Sequence, residues 1–227
     1  MKLVVFDMAG TTLDDEGLVL ASFVSAARAV ELEATPEELN ARMGLSKIEV
    51  FDELSRRQLG DTPAARALRD RGYALFQQIL EDAYRGDAAR AMRGSEAAFA
   101  WLRARRIAVA LNTGFYRAVT DILIERLGWQ GQIDAAICVD DVPRGRPAPY
   151  MIHLAMQRCG IESVADVAVV GDTPSDIYAG RNSGAAWVIG VQSGAHPART
   201  LRRTPLTHLI EGVWELPALV RRVTRLT

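Results

Sequence analysis

The chain has two lysines against twenty-five arginines among its 227 residues. One of them, Lys47, lies in the segment Arg42-Met-Gly-Leu-Ser-Lys-Ile-Glu49. A primary amine can lose its proton, attack a carbonyl carbon and form an imine, which a guanidinium group cannot do. An amine kept at this one position away from the chain ends favours nucleophilic chemistry. A solvated helix can also carry a single lysine with no chemical role.

A second reactive pattern lies near the N-terminus, where an apolar, valine-rich run ends at Asp7 and is followed by Gly10 and Thr11. The short run predicts a buried parallel strand, and ligands bind at the carboxyl ends of such strands. Gly10 lets the backbone turn tightly, and the amides that follow could hold a phosphate group. An ordinary Asx-type turn fits the same residues, so both interpretations stay open.

Polar residues also follow further predicted strands, over 107–111, 135–139 and 167–170. These residues are Thr113, Asp140 or Asp141, and Asp172, with Asp176 four positions on. Parallel strands bring their carboxyl ends to one edge, where clustered carboxylates repel one another unless a cation lies among them. Because the donors are oxygens, that cation would be Mg²⁺. Arg146 adds a fixed charge whose fork geometry suits phosphoryl oxygens, and the set as a whole predicts phosphoryl transfer.

The elements that position these residues alternate between strand and helix from residue 107 to a last predicted strand over 186–191. This alternation indicates parallel βαβ units in a doubly wound sheet. The first strand belongs to the same sheet, but residues 16–92 have helical patterns, with helix starts such as Thr62-Pro63. We therefore predict an α/β, Rossmann-like core formed by residues 1–15 and 93–227, with an inserted α-helical cap domain over 16–92.

Composition narrows the partners. A formal net charge of −1 gives no basic footprint for nucleic acid, and no apolar stretch is long enough for a membrane span or a secretory signal. The two cysteines, Cys138 and Cys159, match neither a metal site nor a disulfide framework. We expect a cytoplasmic protein that acts on a small molecule, with no nucleic-acid or membrane partner.

Four motifs, in order, resemble those of the haloacid dehalogenase superfamily. They are Asp7-Met-Ala-Gly-Thr11, Asn112-Thr-Gly114, Arg146 and Gly171-Asp-Thr-Pro-Ser-Asp176. The resemblance implies a hydrolase whose nucleophile, Asp7, forms an aspartyl-phosphate. It also implies an Mg²⁺ site formed by Asp7, the Ala9 carbonyl and Asp172. Asp176 would bind the ion through water, or would lie behind the ligands as a further acid. The phosphoryl group would be held by Thr113 and Arg146, with Gly10, Thr11 and Gly114 around it.

Departures from the common superfamily pattern resemble the phosphonatase-like branch, which is related to phosphonoacetaldehyde hydrolase. Ala9 stands where phosphatases carry a second Asp that protonates the leaving alkoxide, and Arg146 replaces a lysine. The segment Met43-Gly-Leu-Ser-Lys-Ile48 is similar to the lysine-bearing cap segment of that branch. The resemblance implies that Lys47 forms a Schiff base that accepts electrons during C–P bond cleavage. It further implies that Met43 and Gly44 line the substrate pocket and that two copies pair as a homodimer.

Three positions differ from that branch, since Val50, Phe115 and Met8 stand where it carries His, Tyr and Trp. A related 2-oxoalkylphosphonate is therefore the expected substrate. Two alternatives stay open from the residues: a phosphomonoesterase acting on a small phosphorylated metabolite, and a non-catalytic protein that binds a phospho-ligand on the same scaffold.

Overall fold

The computed structural model describes residues 1–42, 45–86 and 89–224. The chain divides into two compact units, one formed by Met1–Asp14 with Ala89–Thr227 and the other by Asp15–Ala88. The strands are β1 (Leu3–Asp7), β2 (Leu13–Asp14), β3 (Arg90–Ala91), β4 (Ala108–Asn112), β5 (Ala135–Ile137), β6 (Val167–Gly171), β7 (Trp187–Val191) and β8 (His208–Ile210). The helices are α1 (Leu18–Ala29), α2 (Pro36–Ala41), α3 (Lys47–Leu59), α4 (Pro63–Arg85), α5 (Ser95–Arg103), α6 (Arg117–Arg126), α7 (Tyr150–Arg158), α8 (Pro174–Ser183), α9 (Ala198–Leu201) and α10 (Leu216–Thr224).

Six strands of the first unit form one sheet in the order β5-β4-β1-β6-β7-β8, with every neighbouring pair parallel. The central strands β1 and β6 are buried along their whole length, as expected for apolar, β-branched strands covered on both faces. The remaining strands, β2 and β3, pair with each other in antiparallel fashion.

Helices cover both faces of the sheet. Val5 of β1 shares a buried core with Ile152 of α7 and Ile177 of α8. The next residue, Phe6, faces the opposite way, and its ring centroid lies 5.4 Å from that of Phe99 in α5. The predicted doubly wound, Rossmann-like parallel sheet is therefore confirmed. The short edge strand β8 lies beyond the last strand that the pattern predicts, because three residues are too few to show a period.

The second unit contains α1 to α4 and has its own apolar core. The rings of Phe23, Phe51 and Phe76 pack with centroids 4.9 to 6.4 Å apart, two of the three pairs edge to face. Thr62 begins α4 by accepting a hydrogen bond from the Ala65 amide at 3.2 Å. The role of this unit as a cap stays a prediction. Among the described residues, no helix combines the length and apolar character that crossing a membrane requires.

Replacing Gly72 by alanine should destabilise the second unit. A Cβ atom at this position of α4 would lie 2.6 Å from Cε1 of Phe51. Overpacking of this kind costs about 1–3 kcal/mol, which exceeds the roughly 1 kcal/mol by which alanine favours a helix over glycine. The thermal unfolding midpoint of Gly72→Ala should fall, and in a Phe51→Leu background the same replacement should cost less. A midpoint that rises in both backgrounds would contradict this packing.

Candidate active site

Three buried carboxylates meet at the carboxyl edge of the parallel sheet. Asp7 ends β1, Asp172 directly follows β6, and Asp176 lies in the first turn of α8. Carboxylate oxygens of the three residues lie within 4.8 Å of one another, and each residue is at most 4% exposed. Because β1 and β6 are hydrogen-bonded neighbours, the sheet itself brings residues 7 and 172 together.

Asp172 is held by donors from two loops. The hydroxyl of Thr11, in the loop after β1, donates to Oδ1 at 3.2 Å, and the amide of Ala195, in the loop after β7, donates to Oδ2 at 2.7 Å. The Ser193 hydroxyl donates to the Gly10 carbonyl at 2.9 Å and ties the loops together. Thr11 thus acts on Asp172 in this structure, while its predicted contact with a phosphoryl group stays a prediction.

Two glycines leave space for the Asp172 carboxylate. A Cβ atom at Gly194 would lie 2.1 Å from Oδ2, and one at Gly10 would lie 2.6 Å from the same oxygen. Gly10 also has a φ of 83°, which a side chain would strain. Sequence reasoning identified Gly10 but assigned no role to Gly194, for which the sequence signal is a Ser-Gly pair after an apolar strand.

Asp176 is oriented by the start of its own helix. The Thr173 amide and hydroxyl donate to its Oδ2 at 2.9 Å and 2.6 Å, and the Asp176 amide donates back to the Thr173 hydroxyl at 3.3 Å. This capping box uses Oδ2 as its acceptor, so that Oδ1 remains available for contact with Arg146. A Cβ atom at Gly171 would lie 2.3 Å from that of Asp176, so this position also needs glycine.

A single buried guanidinium group bridges two of the carboxylates. Arg146 Nη1 contacts Oδ1 of Asp7 and Oδ1 of Asp176, and the arginine side chain is 8% exposed. The second motif lies beside it, because a Cβ atom at Gly114 would be 3.4 Å from Arg146 Nη2. The hydroxyl of Thr113 accepts a hydrogen bond from the Phe115 amide at 3.1 Å. The structure therefore brings one predicted phosphoryl-binding residue, Arg146, into contact with the nucleophile and places Gly114 beside it.

Asp140 and Asp141, the other strand-end carboxylates, belong to a separate network. Asp140 accepts a hydrogen bond from the Arg117 amide at 2.8 Å, and Asp141 accepts one from Arg158 at 3.3 Å and one from the Cys138 amide at 2.9 Å. These bonds fix the segment after β5 that leads to Arg146. The geometry therefore favours a role for Asp140 and Asp141 in orienting this loop.

Burial and like charges shift the titration of the cluster. Burial raises the pKa of Asp7 well above its usual value, Arg146 opposes this, and Asp176 and Asp172 add to it. Burial, followed by repulsion from Asp176, raises the pKa of Asp172 to about 6. Although burial acts against it, the charges of Asp176 and Asp7 raise the pKa of Arg146, so the guanidinium stays charged. One cation against three carboxylates leaves an excess of negative charge.

The donors present fit Mg²⁺. Asp7, Asp172 and Asp176 offer only carboxylate oxygens, which hard divalent cations prefer, and their excess charge favours a cation. When bound, the ion would withdraw electron density from a phosphoryl oxygen. Ala9, half-buried after the fully buried Met8, was predicted to contribute its carbonyl, and this role stays a prediction.

The predicted imine-forming residue lies in the second unit. Lys47 is the first residue of α3, and its Nζ donates to the Leu45 carbonyl at 3.0 Å. The same nitrogen lies 5.7 Å from the centroid of the Phe23 ring. Met43 and Gly44, predicted to line the substrate pocket, lie outside the described residues.

A buried aspartate at the end of the central strand, an arginine in contact with it and an acidic pair after the neighbouring strand make this an α/β protein with a candidate phosphoryl-transfer site at the edge of its sheet. A family model described as haloacid dehalogenase-like hydrolase matches residues 1–184. The chain belongs to this family, and it is a hydrolase.

Relatives and solved structures agree with this assignment. The chain is 32% identical over 206 residues to the phosphonoacetaldehyde hydrolase of Bacillus cereus strain ATCC 14579, covering 86% of this chain and 77% of the relative. A phosphonoacetaldehyde hydrolase-like protein from Oleispira antarctica superposes with a TM-score of 0.80 at 22% identity, over 99% of this chain and 92% of that one. A protein from Haemophilus somnus described as a predicted phosphoglycolate phosphatase has a TM-score of 0.82 at 16% identity, over 97% and 98% of the two chains. These two structures share the fold.

Replacing Gly194 by alanine should weaken Mg²⁺ binding by about tenfold or more. The new methyl group would displace Oδ2 of Asp172, a proposed ligand oxygen, and metal sites tolerate little displacement. Isothermal titration of the metal-free protein with MgCl₂ would measure the effect. Ala195→Ser is the matched control, because the Ala195 side chain is exposed and only its backbone amide reaches Asp172. Equal Mg²⁺ affinity in Gly194→Ala and the unaltered protein would contradict the steric argument.

Stabilisation by Mg²⁺ should be lost as the pH falls through about 6. The pKa of Asp172 in the metal-free fold is raised to about 6, so below that pH a proton competes with the ion for the carboxylate. Thermal unfolding with and without MgCl₂ should show a clear rise of the midpoint in mildly alkaline buffer and little or none about two pH units below the pKa. Asp172→Asn should lack the rise at every pH. A rise of equal size throughout the range would oppose the assignment of Asp172 as a ligand.

Proposed function

We propose that the protein is an Mg²⁺-dependent hydrolase that cleaves the C–P bond of a small 2-oxoalkylphosphonate resembling phosphonoacetaldehyde. The reaction would use a Schiff base on Lys47 and an aspartyl-phosphate on Asp7. Two features of the sequence together carry the proposal. Ala9 stands where a phosphatase would have its leaving-group acid, and Lys47 is the one lysine of the chain besides Lys2. Similarity to a phosphonoacetaldehyde hydrolase of Bacillus cereus supports it.

The missing acid and the added amine fit one reaction. Cleavage of a C–P bond expels a carbanion, which an acid placed to protonate an alkoxide would not stabilise. In the proposed sequence the neutral amine of Lys47 attacks the substrate carbonyl and water leaves, giving a protonated imine. The protonated imine then accepts the electron pair of the P–C bond, which breaks to give an enamine, while phosphorus bonds to an Asp7 oxygen. A proton then adds to the carbon that carried phosphorus and regenerates the imine. One water hydrolyses the imine and releases the carbonyl product from Lys47, and a second water hydrolyses the aspartyl-phosphate and releases phosphate from Asp7.

The residues around Asp7 fit their proposed parts. The nucleophile must be ionised. Burial raises the pKa of Asp7, and contact with Arg146 opposes that rise. In the proposal, Arg146 and Thr113 hold the phosphoryl oxygens, with Gly10, Thr11 and Gly114 around them, and Asp172 and Asp176 hold the ion. The sheet fixes Asp7 at a strand end, which keeps the attacking oxygen in place.

The other lysine is poorly placed for the same role. Lys2 precedes β1, whereas Asp7 ends it, so a strand's length of about 16 Å separates their backbones. The Lys2 amine pairs with Asp166 at 3.0 Å at the amino edge of the sheet. Lys47 is therefore the lysine to which the proposal assigns the imine.

The proposal extends to the partners. A small phosphonate or phosphate is the substrate, and the formal net charge of −1 favours no nucleic-acid or membrane partner. A homodimer in the cytoplasm completes the proposal, by likeness to the phosphonatase-like branch.

A phosphomonoesterase acting on a small phosphorylated metabolite is the second candidate. The observation in its favour is that Val50 and Phe115, at the positions of the phosphonatase His and Tyr, are both buried and apolar. No proton-transferring side chain therefore stands at either position to assist imine formation. Such an enzyme would use Asp7, Thr113 and Arg146 in the same way and would have no need of Lys47.

Borohydride trapping should separate the two candidates. With a 2-oxoalkylphosphonate, the unaltered protein should give a reduced adduct on Lys47 by mass spectrometry and release phosphate when Mg²⁺ is present. Lys47→Arg should lose both the adduct and the phosphate release. Asp7→Asn should keep the adduct and lose the phosphate release, because imine formation precedes transfer to Asp7. Absence of an adduct, with release of phosphate from monoesters independent of Lys47, would establish the phosphomonoesterase instead.

Introducing the missing acid should increase phosphomonoester hydrolysis. General acid catalysis contributes about 10²–10⁴-fold, so Ala9→Asp should raise kcat for an alkyl ester such as glycerol phosphate towards that range. Ala9→Asn is the matched control, having the same shape without the proton. Phosphate release from the three proteins would be compared at one Mg²⁺ concentration. Equal rates in Ala9→Asp and Ala9→Asn would show that position 9 does not serve the leaving group.

A further inference from the structure

Asn112 carries a buried amide that the reaction described above does not use. The residue is 1% exposed, and within the described parts of the chain neither Nδ2 nor Oδ1 has a hydrogen-bond partner. Leaving a buried polar group unpaired destabilises the fold, and native proteins keep few such groups. An amide kept at this cost indicates a partner that arrives from outside the chain.

The strand register places this amide next to the nucleophile. Asn112 ends β4, and its Cα pairs in parallel register with that of Asp7. Paired residues on neighbouring strands project to the same face of a sheet. Two residues earlier in each strand, Ala110 and Val5 share the core formed with α7 and α8. Since side chains alternate along a strand, Asn112 and Asp7 lie on that same face, at its carboxyl edge.

The charges around Asn112 define the ligand chemistry. Arg146 contacts Asp7 and lies beside Gly114, two residues after Asn112. An anion would be attracted by the guanidinium and repelled by the carboxylate. An uncharged amide that donates through Nδ2 adds a hydrogen bond to such an anion without adding charge. A tetrahedral phosphoryl or phosphonyl group has several oxygens to share among these donors.

We propose that Asn112 contacts the substrate, donating a hydrogen bond from Nδ2 to an oxygen of its phosphoryl or phosphonyl group. The amide thereby helps to set the affinity of the site for tetrahedral oxyanions. This assignment rests on the phosphoryl-binding part of the proposed function and is independent of the Lys47 Schiff base.

The test compares orthophosphate binding and stability in Asn112→Leu, which keeps the branched shape and removes the polar atoms. Titration of the Mg²⁺-loaded protein with inorganic phosphate should show affinity reduced about tenfold or more, as expected for a lost hydrogen bond to a charged group. The unfolding midpoint without phosphate should stay the same or rise, because an unpaired amide has been removed. Asn112→Ala serves as a second variant should leucine prevent folding.

Ser55→Ala provides the matched control. The Ser55 hydroxyl, on α3, is also buried and without a partner in the described chain. Its removal should likewise leave the unfolding midpoint unchanged or higher, but it should not alter phosphate affinity.

Three results would overturn the assignment. Unchanged phosphate affinity in Asn112→Leu or Asn112→Ala would mean that the amide binds only an internal water. A lowered unfolding midpoint in both variants with unchanged affinity would make Asn112 structural. No phosphate binding by the unaltered protein would remove the phosphoryl site itself, and Asn112 with it. By contrast, no reduced adduct after borohydride treatment, together with the expected loss of phosphate affinity in Asn112→Leu, would reject the Schiff base and support the contact between Asn112 and the phosphoryl group.

Discussion

Repulsion among three carboxylates buried at one edge of a parallel sheet is the constraint on which the site depends. Asp7, Asp172 and Asp176 lie within 4.8 Å of one another, away from solvent, and one guanidinium group offsets only part of their charge. Burial, followed by repulsion from Asp176, disfavours the ionised form of Asp172 and raises its pKa to about 6. The surrounding loops, the capping box of α8 and the closely packed glycines hold the carboxylates against that repulsion.

The topology explains how distant residues come to share this edge. The nucleophile lies on β1, whose two neighbours, β4 and β6, arrive from much later in the chain. Each crossover connection carries the chain back to the amino edge of the sheet, so the next strand again runs towards the carboxyl edge. The residues at the strand ends therefore meet at one edge. In the sequence, the helical second unit is inserted between β2 and β3. These two strands pair in antiparallel fashion, which brings together the points where the chain leaves and rejoins the first unit.

Much of this could be predicted from the sequence, for identifiable reasons. The sheet follows from strand and helix alternation, and the carboxylate cluster follows from polar residues at strand ends. The role of Gly194 could not be found, because it depends on the 2.1 Å that would separate a Cβ atom there from an oxygen of a residue 22 positions earlier in the sequence. The unpaired state of Asn112 was equally hidden, since pairing is decided by three-dimensional neighbours. The functions assigned to Lys47 and to the helical unit stay predictions, because sequence similarity carries them and geometry within one unit does not test them.

The glycine contact with Asp172 has an evolutionary consequence. Any mutation that gives position 194 a side chain would disturb Oδ2 of Asp172, an oxygen proposed to bind Mg²⁺, while sparing the strands and helices, since the loop follows β7 at the sheet edge. A descendant could therefore lose its chemistry in one step and keep its fold and its neighbouring donors. The same scaffold would then be free to diverge into a receptor or regulator. The residue at position 194 would distinguish such descendants from those that keep the proposed metal site.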